Sequence, residues 1–160
     1  MVTTKAATRV RQLIADSLQY GATIHTSSQD GANKAGQEKE GGISIPASVL
    51  EGVNPKMRLH TEESFGPLVS IKVVEGDDEA VGIVNECRYG LSAAIHTRNH
   101  FRALHLAKKL NVGAIHINGS TVHDESTLPH GGYGESGWGR FGAGWGLSEF
   151  VQTKTVIINK

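Results

Sequence analysis

Cysteine is nearly absent. Cys87 is the single one in 160 residues, which excludes a disulfide framework and a cysteine-rich metal site. No apolar run is long enough to cross a bilayer, and no secretory pattern follows Met1, so a cytoplasmic location is the expectation. Neither sign of charge dominates. Lys and Arg together number 16, and so do Asp and Glu, so neither nucleic acid nor an anionic membrane is an expected partner. Glycine and histidine are plentiful instead. The 20 glycines gather toward the C-terminus, and the 8 histidines give spare acid–base and ligand capacity. The length suffices for one domain with a real core.

Periodicity places the elements. Val10, Leu13, Ile14, Ser17 and Leu18 fall on one helical face between Ala6 and Tyr20, with Gly21 as a C-terminal stop. Ala22 to Thr26 reads as a short strand. Residues 27–42 are polar and glycine-rich and read as a mobile loop. Ile43 to Leu50 is β-leaning but interrupted by Pro46, which predicts an edge or irregular strand. Leu68 to Val74 has the length of a buried strand. Asp77 and Asp78 suit the start of a helix whose inner face carries Ala80, Ile83, Val84 and Cys87, ended by Gly90. Leu91 to Thr97 is another strand. Asn99 can cap a helix with Ala103, Leu106, Ala107 and Leu110 inward and Lys108 and Lys109 near its C-terminus. Val112 to Asn118 is a further strand. Strand, helix, strand, helix, strand in sequence predicts parallel pairing through right-handed crossovers, an α/β fold.

Two stretches stand apart. Glu62-Glu63-Ser64-Phe65-Gly66-Pro67 sets two carboxylates directly before an aromatic, a glycine and a proline. Proline restricts the backbone and glycine permits close approach or a sharp turn. A carboxylate on such a turn is poised to accept hydrogen bonds from hydroxyls; the same residues read equally as a surface turn between strands. Residues 119–146 form a long glycine-rich stretch interleaved with Trp138, Phe141 and Trp145. It is too aromatic for a flexible linker, and long ordered loops commonly cover a site. The chain ends in a β-like segment, 151–159, carrying Val156, Ile157 and Ile158. A terminal strand must pair or remain a sticky edge.

Five motifs in order carry a family resemblance: Glu62 to Pro67, then Tyr89-Gly90-Leu91-Ser92-Ala93-Ala94, Ile117-Asn118-Gly119, Pro129-His130-Gly131-Gly132 and Ser136-Gly137-Trp138-Gly139-Arg140. Together they resemble the C-terminal third of the NAD(P)-dependent aldehyde dehydrogenases. His123-Asp124-Glu125 makes the chain most similar to the salicylaldehyde and vanillin types. The resemblance implies a three-layer parallel-sheet piece of the catalytic domain over residues 1–150, with an oligomerisation strand over 151–160. It implies that Glu63 is the ribose-binding glutamate and that Phe65 packs near the nicotinamide. Asn118 and Gly119 would line the substrate entrance. The final strand would pair across subunits of a homo-oligomer.

The family's dinucleotide-binding domain, its glutamate base and its cysteine in a Gly-Gln-x-Cys context have no counterpart in these residues. Val84-Asn85-Glu86 precede Cys87, whose aligned position is an ordinary helical one, so Cys87 is expected in the core. NAD(P) is therefore an expected cofactor only if the missing domain is supplied, and autonomous aldehyde oxidation is not expected. His130 stands where the family has a phenylalanine facing the substrate, and His60 replaces an apolar residue ahead of the acidic turn. This gives the leading expectation: a recruited non-redox catalyst acting on a small carbonyl or aromatic substrate by proton transfer. His130 and Glu63 would be its acid and base, and Phe65, Asn118, His123, Trp138 and Trp145 would face the substrate. One alternative is a pseudoenzyme that self-associates or pairs with a full-length homologue. Another is a split part of an aromatic aldehyde dehydrogenase. A metal site from His116, His123 and His130 has no known ligand spacing behind it, and none is expected.

Overall fold

The computed structural model describes residues 1–26 and 42–159, so the loop expected over 27–42 lies outside the described residues except for Gly42. The fold is α/β. The chain divides into two compact units, Met1–Val73 and Val74–Lys160.

The first unit begins with helix α1, Thr4–Gln19. Thr3 caps it, its hydroxyl accepting from the Ala6 amide at 3.1 Å. Ala7, Val10, Leu13, Ile14 and Ser17 are buried, as the helical spacing predicts, whereas Leu18 stays exposed. Buried Ser17 satisfies its hydroxyl by donating to the Leu13 carbonyl at 2.8 Å. Gly21 follows the helix at φ 96°, the left-handed turn that glycine makes without steric cost.

A three-stranded sheet completes the unit: β1 (Thr23–Thr26), β2 (Ser48–Glu51) and β3 (Leu68–Ile71), in that order. β1 runs antiparallel to β2, and β2 parallel to β3 with Ser48 opposite Leu68. The expected edge strand is thus the central one. Pro46 lies ahead of β2, where its missing N–H breaks no ladder bond. Leu50, Ala22 and Met57 form a core cluster with Ile24, Val53, Leu59 and Leu68 around it. β3 is not the buried strand its apolar run suggests, because Val69 and Ile71 are exposed.

In the second unit, α2 (Asp77–Glu86) starts at Gly76, not at an aspartate cap. Asp77, Asp78 and Glu79 fill its first turn, where the dipole favours anions. None of its residues is buried. Cys87 is the exposed C-cap of this helix, not a core residue. The helix is held instead by polar ties: Asn85 bridges the Lys109 carbonyl at 2.8 Å and the Asn111 amide at 2.9 Å, and Lys109 pairs with Asp78 at 2.9 Å. Asp77 pairs with Arg102.

Gly90 does not merely end the helix; with Tyr89 it forms β4, which pairs antiparallel with β7 (Tyr133–Gly134). β5 (Ser92–Ile95) and β6 (Ala114–Ile117) run parallel, joined through α3 (His100–Ala107). Asn99 caps α3 as its sequence suggests, accepting from the Arg102 amide at 3.0 Å. This helical crossover joins two strands of one sheet; β3 and β5 belong to different sheets. Gly113 packs so tightly that a Cβ there would lie 1.7 Å from the Gly131 carbonyl oxygen. A short helix α4 (Ala143–Leu147) and a 3-10 turn, Ser148–Phe150, follow. Residues 151–159 are exposed and join no strand pair among the described residues.

Leu13→Ala is expected to cost about 2–5 kcal/mol in urea unfolding, because a large buried side chain is lost, while Val2→Ala should stay within about 0.5 kcal/mol. Equal effects would contradict the assigned core. A second test concerns pH. The hydrogen bond and charge of Arg102 hold the Asp77 carboxyl below its ordinary value of 3.8. A depressed carboxylate stabilises the fold fully above pH 3.8 and loses that contribution as pH falls through its lower folded-state value. Asp77→Asn should therefore lower the unfolding midpoint near neutral pH and have no effect near pH 2. Salt of about 1 M should shrink the neutral-pH difference.

Candidate functional site

The acidic turn of the first unit divides its two carboxylates between two tasks. Glu62 faces inward and is gripped from both sides. Arg9 on α1 donates Nε to its Oε1 at 3.0 Å. Arg58, in the 3-10 turn Arg58–His60, donates Nε and Nη2 to its Oε2 at 3.1 and 3.0 Å. The remaining arms of Arg9 reach the backbone: Nη1 donates to the Ser64 carbonyl at 2.9 Å and Nη2 to the Glu63 carbonyl. Asp16 on α1 accepts from the Arg58 amide at 2.8 Å.

Glu63 itself is exposed, and its carboxylate makes no hydrogen bond or ion pair among the described residues. Phe65 sits at φ 48° with 80% of its surface exposed, a backbone state uncommon outside glycine and frequent at functional turns. Gly66 lies against α1, where a Cβ would come within 2.7 Å of Val10 Cγ2. Pro67 then hands the chain to β3, its carbonyl accepting from the Ser48 amide at 2.9 Å.

The second unit carries the other candidates. Asn118 is also left-handed, at φ 56°. Both ends of its carboxamide are engaged: Nδ2 donates to the Thr97 carbonyl at 2.9 Å and Oδ1 accepts from the Thr97 amide at 2.8 Å. It shapes the end of β6 through this clamp. His130 Nδ1 lies 3.6 Å from Asp124 Oδ1, and its ring tilts against Phe141 with centroids 5.0 Å apart. A β-bridge between His130 and Phe141, with both amide–carbonyl bonds at 2.8 Å, fixes that pairing. The His130 side chain is 28% exposed. His123 instead pairs with Glu125 at 3.3 Å on the surface.

Trp138 is 96% exposed and Trp145 57% exposed, so neither walls off a dry pocket within the chain. Among the described residues no group of three His, Cys, Asp or Glu could hold a metal, and no helix is long and apolar enough to cross a membrane.

Glu63 and Phe65 belong to the first unit, and Asn118, His123, His130, Trp138 and Trp145 to the second. Within the first unit, Glu63 and Phe65 share one turn. Within the second, His130, Asp124 and Phe141 meet. Sequence reasoning missed Arg9, Arg58 and Asp124. Arg9 lies on the helical face next to Val10, and only its contact across 53 positions to Glu62 reveals its use. Asp124 was visible in the His123-Asp124-Glu125 run, but the folding back of His130 onto it was not.

The packing of Gly66 on Val10 is testable. Gly66→Ala should cost about 1–3 kcal/mol, since an added methyl must displace a stiff β-branched neighbour. On a Val10→Ala background the added cost should fall. A penalty independent of residue 10 would show that backbone conformation, not this contact, selects glycine.

Residues 1–156 match the model of the aldehyde dehydrogenase family. Vanillin dehydrogenase of Pseudomonas fluorescens is 39% identical over 158 residues, which are 99% of this chain and 31% of that protein. A salicylaldehyde dehydrogenase from Pseudomonas putida G7, solved in complex with salicylaldehyde, superposes with a TM-score of 0.80 at 33% identity, over 93% of this chain and 29% of the other. A Mycobacterium tuberculosis aldehyde dehydrogenase complexed with NAD+ gives 0.83 at 27% identity, over 99% of this chain and 32% of the other. The chain thus spans under a third of the length of these relatives. On a match that runs through nearly all of its residues, the chain belongs to the aldehyde dehydrogenase family and is related to members named for aromatic aldehydes.

Proposed function

We propose that this chain supplies the ribose-side turn and the substrate-entrance segment of an NAD(P)-dependent aromatic aldehyde dehydrogenase, and acts together with a cofactor-binding part and a nucleophilic cysteine outside these 160 residues. The observation that carries it is the division of labour at the acidic turn. Glu62 is neutralised by two guanidiniums, while the Glu63 carboxylate is left exposed and unpaired among the described residues. An unpaired carboxylate carried on an anchored turn suits a vicinal diol of a ribose, because its oxygens are free to accept two hydroxyl hydrogen bonds. NAD(P), when bound, supplies the hydride acceptor; this chain binds and orients.

Under this reading residues 1–150 are part of the catalytic domain, the protein is cytoplasmic, and 151–159 pair with a second copy. The exposed side chains of Val156, Ile157 and Ile158 on an unpaired segment support that last assignment.

A second reading has one specific observation behind it. The Asp124 carboxylate lies beside His130 Nδ1, at 3.6 Å, and Nε2 of that imidazole has no partner among the described residues. Such a pair can move protons without a redox cofactor. The exposed Trp138 and Trp145 leave that base without a closed apolar wall in the chain by itself, which is why it stands second.

A chimaera in which this chain replaces the matching 31% of Pseudomonas fluorescens vanillin dehydrogenase should reduce NAD with vanillin, while the 160-residue chain by itself should not. In the chimaera Glu63→Gln should raise the KM for NAD about tenfold, the loss of a charged hydrogen-bond acceptor. Vanillin-dependent NAD reduction by the chain without a partner would overturn the first reading. The second predicts that the chain catalyses deuterium exchange next to a carbonyl and that His130→Phe abolishes it; absence of exchange in the unmutated chain sinks it.

A further inference from the structure

We infer that Arg9 is a positioning residue for cofactor binding: its guanidinium turns Glu62 inward and thereby presents the neighbouring Glu63 carboxylate to the ribose hydroxyls. The inference rests on the role proposed above for Glu63.

The geometry is unusual in where one side chain's donors go. Arg9 contacts three consecutive residues of the turn, through the Glu62 carboxylate and the Glu63 and Ser64 carbonyls. Fixing the Glu62 side chain and the two following carbonyls holds the stretch of backbone that carries the exposed Glu63 side chain. Phe65, which follows these three residues, is left-handed, and Gly66 after it has no Cβ against Val10. Arg9 and Val10, adjacent on α1, therefore act on the same turn, one by hydrogen bonds and one by contact.

The Arg58 guanidinium differs in kind, because among the described residues it hydrogen-bonds only the Glu62 carboxylate. A tether meant only to hold the turn to the helix could have been a lysine or an apolar contact. The forked, planar guanidinium can satisfy three acceptors that lie in different directions, which a single ammonium point charge does poorly. Holding the turn that carries the Glu63 carboxylate before the ligand arrives lowers the ordering cost of binding.

The test uses the dehydrogenase assembled from this chain and the preceding segment of a vanillin dehydrogenase. Arg9→Met should raise the KM for NAD about tenfold with kcat and the KM for vanillin within about twofold. Arg9→Lys should recover only a minor part of the loss. On a Glu63→Gln background, Arg9→Met should add less than about twofold, because the two residues act through one contact. A full, additive tenfold loss on that background, or an equal rise in the vanillin KM, overturns the inference. So does an Arg58→Met effect as large as that of Arg9→Met, which would give the role to the Glu62 charge pair. If Glu63→Gln leaves the NAD KM unchanged, the ribose role itself fails, a distinct result.

Should the Arg9→Met enzyme fail to assemble, backbone order parameters of the 160-residue chain decide. Those of Glu63 to Phe65 should fall from about 0.85 to below about 0.6 in Arg9→Met, with α3 unchanged. Unchanged values there overturn the inference.

Discussion

One guanidinium organises the first half of this protein. Arg9 leaves α1 and reaches across 53 positions of sequence to Glu62, and its other arms take the next two carbonyls. Backbone carbonyls outside regular structure need partners, and here a helix supplies them. The consequences run along the chain. The turn is set at a fixed height on α1, Gly66 settles on Val10, and Pro67 accepts from Ser48. That bond sits at the start of the parallel register of β2 and β3, which opens with Ser48 opposite Leu68. Side-chain chemistry at one arginine is thus connected to sheet register and to the exposure of Glu63.

The second half is built on close backbone approach and on amide side chains. Gly113 meets the Gly131 carbonyl where no side chain fits, and Asn85 and Asn118 each satisfy two backbone groups at once. These contacts are polar or steric, not apolar, and they explain how α2 holds its place with no buried residue. Apolar surface accumulates outside instead, at Trp138, Phe150, Val156 and Ile158. Apolar side chains exposed in such number favour association.

Local chemistry announced the elements that depend on local chemistry. α1 was legible because five apolar or small residues recur at helical spacing, and four of them are buried. α3 was legible because Asn99 is a strong cap, and it does cap. Misreadings arose where partners are distant. Ile43 to Leu50 looked like an edge because of Pro46, yet the strand begins two residues later and pairs on both sides. Leu68 to Val74 looked buried from its apolarity, and Cys87 from its place on a helical face, but Val69, Ile71, Val73 and Cys87 are exposed. Burial depends on what lies opposite, which no window of sequence contains. The same limit hid the site's supports. Glu62 and Glu63 are identical in composition, and only the positions of Arg9 and Arg58 tell the anchor from the free carboxylate.

The sequence by itself determined the family, through ordered motifs from Glu62 to Arg140, and with it the α/β class and the residue types at the turn. It also determined the start of α3, because a cap such as Asn99 needs only residues a turn away. Tertiary structure decided which carboxylate is bound and which is free, that Asn118 is committed to Thr97, and that His130 lies beside Asp124. The physical reason is range. Capping and periodicity act over a few residues, whereas a guanidinium's choice among acceptors is made only after chain folding brings distant segments within about 3 Å.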